Sequence, residues 1–177
     1  MICWGKRVSQ EFRWRVLDIA IDLNVPVDFL MACIAFESGR SFRADKRNLA
    51  GSGATGLIQF MPSTARSMGY KDANDLVTKN PDRISQLKGP VRVYLSQYRP
   101  FKGDYSLFMA VFYPKARSGS PFSLFPEAVR KANPGINTPM DYVNKVYAHA
   151  GIKTIGLGAL LVAGIIVYLL ARKGGIA

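Results

Sequence analysis

The stretch that most constrains this chain is Leu30-Met31-Ala32-Cys33-Ile34-Ala35-Phe36, seven apolar residues with good helix formers and no polar face. Such a run predicts a buried helix. Glu37 ends it, and Gly39, two residues on, supplies the stop that glycine often makes just past a last turn. A carboxyl group there faces the negative end of the helix dipole and is desolvated by its apolar neighbours, and both effects favour the neutral acid. A glutamate kept protonated near neutral pH can give its proton to a leaving oxygen, the first requirement for cutting a glycosidic bond. The alternative is a surface glutamate that merely ends a helix.

A second stretch bears on that choice: Gly56-Leu57-Ile58-Gln59-Phe60-Met61-Pro62-Ser63-Thr64-Ala65. With Glu37-Ser38 it resembles the soluble lytic transglycosylase family, lysozyme-like proteins related to goose-type lysozymes, whose motifs are a catalytic Glu-Ser pair and Gly-Leu-Met-Gln-Ile-Met-Pro-x-Thr-Ala. The resemblance covers roughly residues 10 to 150. It implies an all-α, lysozyme-like transglycosylase domain with Glu37 catalytic, Ser38 beside it, and Gln59 and Met61 lining the groove at the scissile bond. Leu57 and Ile58 are expected in the core. The family's third motif, Ala-Tyr-Asn-Ala-Gly, is matched only by Val111-Phe112-Tyr113-Pro114-Lys115-Ala116, which keeps the tyrosine. Tyr113 is therefore expected to hydrogen-bond near Glu37 or the sugar, with a core aromatic as the alternative. Tyr142-Val143 is similar to the fourth motif, whose tyrosine reaches the catalytic region.

The remaining elements follow from local signals. Ser9 is a plausible N-cap for a helix burying Phe12, Val16, Ile19, Ala20 and Leu23, and Asn24 to Pro26 make the turn to the Glu37 helix. Arg40 to Ala50 reads as a basic loop, with Asn48 and Ser52 as weak substrate contacts; Gly51, Gly53 and Gly56 would let the Gln59 segment close over Glu37. Pro62 opens a short helix ended by Gly69. Asn80 is expected to cap a helix whose buried face carries Ile84, Leu87, Val91, Tyr94, Leu95 and Tyr98, with a kink at Gly89-Pro90. Ser106 caps an apolar helix to Tyr113, Phe125 to Ala132 form another, and Thr138-Pro139 open a last one burying Tyr142, Val143, Val146 and Tyr147.

The chain of 177 residues suits one domain, residues 1–150, and an appendage, residues 151–177. From Thr154 to Ala171 no residue is charged, about 27 Å of helix against a hydrocarbon core of about 30 Å. This reads as a single transmembrane anchor flanked by Lys153 and Arg172-Lys173, or else as a helix buried in a homo-oligomer. The net charge of +12 attracts polyanions such as wall polymers or anionic lipid. No nucleic-acid motif accompanies it, so no specific nucleic acid is expected. Cys3 and Cys33 are read as free thiols or one bridge, with Cys33 a buried thiol, and neither has metal-ligand spacing with His149. His149 is read as a solvated residue matched to a helix dipole. No cofactor is expected, and the start of the chain lacks the apolar core of a signal peptide.

The motif around Glu37 holds one acid, whereas ordinary glycosidases use two. The resemblance implies a mechanism that needs only one, with closure of the sugar's own C6 hydroxyl onto C1 to leave a 1,6-anhydro end. The expected partners are peptidoglycan glycan strands, a membrane through residues 154–171, and virion or envelope proteins. The expected setting is a virion-associated bacteriophage enzyme acting on the periplasmic side. A lysozyme-like hydrolase and an inactive structural membrane protein with a wall-binding domain are the competing readings.

Overall fold

The computed structural model describes residues 3–151. Among the described residues nine α-helices carry the fold, with no strand and only isolated bridges at Arg47, Thr55 and Phe60. Helix α1 (Gln10–Leu23) begins where Ser9 Oγ accepts the Phe12 N–H at 3.2 Å, and it buries the five apolar residues expected of it. Asn24 closes it in the left-handed region, φ 54°, and the chain bends by 119° into α2 (Val27–Glu37).

Leu30 through Ala35 have no exposed surface, so α2 is the central helix. Burying side chains such as Leu30, Met31 and Ile34 is worth about 1.5–3 kcal/mol each, which fixes the depth at which Glu37 emerges. The helix ends in a Schellman motif: Arg40 N–H donates to Ala35 O at 2.7 Å, Gly39 N–H to Phe36 O at 3.0 Å, and Gly39 takes φ 59°.

After a long loop come α3 (Pro62–Ser67), α4 (Ala73–Lys79), α5 (Arg83–Gln86), a π-turn over Leu87–Val91, and α6 (Arg92–Ser96). The kink expected at Gly89-Pro90 is this π-turn, which takes in a proline that an α-helix would reject. Three boundaries differ from the sequence reading. Asn80 is the C-cap of α4, its side-chain amide returning to Leu76 O, and Asp82 caps α5 through Ile84 N–H and Ser85 N–H. Helix α7 (Asp104–Phe112) starts two residues before Ser106, whose hydroxyl instead bonds Gly103 O and the Lys102 N–H.

Helix α8 (Glu127–Ala132) begins after Pro126, two residues later than expected. Helix α9 (Pro139–Ala150) opens with a capping box between Thr138 and Asp141 and buries Tyr142, Val143, Val146 and Tyr147. It packs along α2, while α7 packs on both. No single described helix is long and apolar enough to cross a membrane. The anchor expected at 154–171 lies outside the described residues.

Candidate active site

Glu37 stands at the junction of α2, the loop after it and α9. Its backbone is locked by the Schellman turn, and its residue keeps part of its surface open to solvent. Across 105 positions of sequence, the Tyr142 hydroxyl donates a short hydrogen bond to Glu37 Oε1. The Tyr142 ring is fixed between Phe112, stacked at 4.3 Å, and Phe36, edge-on at 5.4 Å. The phenol is thus held by its ring and aimed by its hydroxyl.

Burial among apolar side chains pushes the Glu37 carboxyl up to about 7, and the Tyr142 hydrogen bond, which favours the anion, pulls in the opposite direction. Burial and the nearby Glu37 hold the Tyr142 hydroxyl well above its ordinary range, so it remains a proton-bearing donor. No second carboxylate contributes to the Glu37 shift. Asp45, the nearest downstream acid, is exposed and bound by Arg43 at 2.7 Å, which holds it below the usual carboxylate range. Glu37 is a lone acid poised near neutrality.

The other expected residues occupy different parts of this region. Ser38 is wholly buried; its hydroxyl accepts the Phe42 N–H at 3.1 Å, and its carbonyl accepts the Ser41 hydroxyl at 2.7 Å. It shapes the loop beside Glu37. Gln59 is partly exposed at φ 53°, and its Nε2 donates to Lys46 O and Gly56 O, both at 3.0 Å. Its side-chain oxygen is the atom left over for a substrate donor. Met61, 42% exposed, follows on the same segment. Tyr113 meets Phe125 edge-on at 5.3 Å, so the hydroxyl that reaches Glu37 belongs to Tyr142 and not to Tyr113. Pro114 and Lys115 open a short 3-10 turn directly after it.

Three non-glycine residues between Glu37 and Phe60 hold left-handed backbones: Arg40, Phe42 and Gln59, at φ 63°, 50° and 53°. Such conformations persist only where the surroundings enforce them, and they gather at functional sites. Arg40 is held by its N–H on Ala35 O, Phe42 by its N–H on Ser38 Oγ and Gln59 by its amide on Lys46 O and Gly56 O, and the loop between them is fastened by a residue the sequence reading passed over. Gln86 is wholly buried; its Nε2 donates to Ala44 O at 2.7 Å and its Oε1 accepts the Leu57 N–H at 3.1 Å. The available signal was a glutamine set beside Leu87 on the inward stripe of a helix.

His149 also departs from expectation. It is partly buried, with its ring edge-on to Phe36 at 5.4 Å, and Arg40 Nε donates to its Nε2 at 3.2 Å. Burial and the Arg40 charge push its pKa down, so this histidine is a neutral acceptor that ties α9 to the turn after Glu37. A shallow recess lined by Arg15, Asp18, Ile19, Leu87, Lys88 and Arg92 shares no residue with this site.

Comparison with known proteins bears on the same stretch. Residues 19–87 match the transglycosylase SLT domain. The matched segment contains Glu37, Ser38, Gln59, Met61 and Gln86, and Tyr113 and Tyr142 lie beyond it. No curated protein and no solved structure gives a significant match to the chain. A match of this kind supports peptidoglycan-degrading, transglycosylase-type activity in general.

Proposed function

We propose that this protein is a lytic transglycosylase that cleaves the β-1,4 bond between N-acetylmuramic acid and N-acetylglucosamine and leaves 1,6-anhydromuramic ends. The observation that carries the reading is the Tyr142 hydroxyl on Glu37 Oε1, at a carboxyl poised near pH 7 with no second acid beside it. Because Oε1 already accepts the phenolic proton, the acid proton belongs on Oε2, on the side away from Tyr142.

In the reaction, Glu37 passes that proton to the bridging oxygen as the C1–oxygen bond breaks. The substrate's acetamido group supports the positive charge developing at C1, and the Tyr142 hydrogen bond supports the new carboxylate. Glu37, now a base, takes the proton of the C6 hydroxyl as its oxygen closes onto C1. The carboxyl returns to its starting form and no water is consumed. Gln59 and Met61 position the sugar on the loop side, and Tyr113 on the α7 side.

Residues 154–171 form the membrane anchor in this reading, with the domain facing the wall. The setting we favour is a bacteriophage virion enzyme that opens the wall locally during genome delivery. The test is a zymogram on peptidoglycan with mass spectrometry of released fragments. Wild type should release anhydro-ended muropeptides, and Glu37→Gln should lose activity by about 100-fold or more. Fragments with reducing ends would make the protein a lysozyme-like hydrolase. Equal weak release by both would leave a structural, wall-binding membrane protein.

A further inference from the structure

The loop between Glu37 and Gln59 carries four cations, Arg40, Arg43, Lys46 and Arg47. Arg40 is engaged by His149 at 3.2 Å and Arg43 by Asp45 at 2.7 Å. Lys46 takes part in no ion pair among the described residues. It is also the cation that spans the site. Its carbonyl accepts Gln59 Nε2 at 3.0 Å and the Gly56 N–H at 2.8 Å, so its main chain is tied to the segment that carries Gln59. Its side chain lies over the turn after Glu37: a Cβ added at Gly39 would be 3.9 Å from Lys46 Cε.

Gly39 is two residues past Glu37, and Nζ is one bond beyond Cε. The residue is half-buried, the state in which a lysine lays its alkyl stem on the protein and keeps its ammonium in solvent. Glu37 is not its counter-ion, since burial and Tyr142 perturb that carboxyl and no cation does. One residue thus joins the two flanks of the site, with a charge that no acid of the described residues answers.

The chemistry of the substrate supplies the answering group. The sugar rings of the glycan strand are neutral, and its acids hang from the lactyl branch of muramic acid. They are the lactyl carboxylate itself where the branch is bare, or the carboxylates of the peptide attached to it. We propose that Lys46 is a specificity-determining residue that binds a carboxylate on the lactyl branch of the muramic acid at whose C1 the bond breaks. The proposal rests on the assignment of Glu37 as the acid of the reaction. Glucosamine has no such branch, so an ammonium–carboxylate bond here selects which of the alternating β-1,4 bonds is presented to Glu37.

The experiment measures fragment release from glycan with stem peptides intact, from glycan with stems removed to free the lactyl carboxylate, and from each of these with its carboxyl groups converted to amides. Wild type is compared with Lys46→Gln, Lys46→Arg and Arg47→Gln in the full chain. Lys46→Gln keeps the main-chain bonds to Gln59 and Gly56, so the loop is preserved. Amidation should lower the wild-type kcat/KM about 10-fold, chiefly through KM, and should leave Lys46→Gln unaffected. Lys46→Arg should retain the response. Arg47, exposed and one residue on, carries the same charge, and Arg47→Gln should respond to amidation as wild type does. Whichever preparation shows the response, stemmed or stripped, identifies the carboxylate. A wild type indifferent to amidation, an equal loss in wild type and Lys46→Gln, or an Arg47→Gln variant that behaves like Lys46→Gln overturns the proposal. A wild type that releases no fragments sinks the enzymatic reading, and equilibrium binding of the same preparations to wild type and Lys46→Gln still decides the role of Lys46.

Discussion

Glu37 carries a pKa of about 7 because burial outweighs the help its anion receives from Tyr142. The folded protein therefore binds a proton that the unfolded chain releases near its ordinary value of 4.5. Below that value both states are protonated and stability is at its fullest. As pH rises from 4.5 to 7 the unfolded state alone ionises, and this contribution is lost. The difference of two and a half pH units corresponds to about 3 kcal/mol as an upper figure. Glu37→Gln should unfold later than wild type at pH 8 by up to about that amount, and the gap should close towards pH 4; denaturant melts at both pH values read it. Activity should fall as pH rises through about 7, where the acid loses its proton. Tyr142→Phe keeps the ring packed between Phe36 and Phe112, so it should lower turnover on the order of 10- to 100-fold with little change in melting temperature, and it should move the alkaline limb upward. Glu37 was legible because its causes are local, an apolar run before it and a glycine after it. Tyr142 was expected near the catalytic region only through its resemblance to the fourth motif; that it and not Tyr113 bonds Glu37 was not readable from local sequence, since α9 meets α2 only through tertiary packing.

The helices and the loop they frame differ in what holds them. Ser9 and Thr138 bond backbone groups three residues away, so the starts of α1 and α9 can be read from a short window of sequence. At Pro81 two capping residues stand on either side, and only geometry shows that Asn80 turns back into α4 while Asp82 turns forward into α5. The loop from Gly39 to Met61 has no such local code. It is fastened by Gln86, 42 residues from Ala44 and 29 from Leu57, and no periodicity announces bonds of that span. Gln86→Ala would leave a buried carbonyl and a buried N–H without partners, so chemical denaturation should show a loss of about 2–3 kcal/mol. The same variant should lose wall cleavage beyond its loss of folded protein, because the loop carries Gln59. Gly56→Ala should do likewise: Gly56 sits at φ 96°, and an added Cβ would lie 2.8 Å from Gln86 Oε1. Gln86→Ala relieves that clash, so the two substitutions together should cost less than their sum; a double-mutant cycle reads the difference.

At the scale of the molecule, α9 joins the chemistry to whatever follows the domain. Tyr142 near its start holds Glu37, and His149 near its end holds Arg40 in the turn after Glu37, so both ends of one helix grip the same short segment. Gly151 closes α9 at φ 71°, and the uncharged run begins three residues later. Among the described residues, α1, α2, α7 and α9 share one buried core, and residues 1–150 carry 21 basic and 12 acidic side chains, a net of +9. Two different forces should therefore draw this protein to an anionic vesicle, one that salt screens and one that it does not. A chain ending at Gly151 should fold, cleave solubilised wall fragments, float with anionic vesicles at low salt and be released at about 0.5 M salt, where charges beyond about 4–5 Å no longer attract. The full chain should float with anionic and neutral vesicles alike and stay bound at that salt. Release of the full chain by salt would remove the anchor from the proposed function and leave α9 ending in a charged, peripheral domain, while the Glu37 chemistry, whose assigned residues all lie within residues 37–142, would stand or fall on its own test.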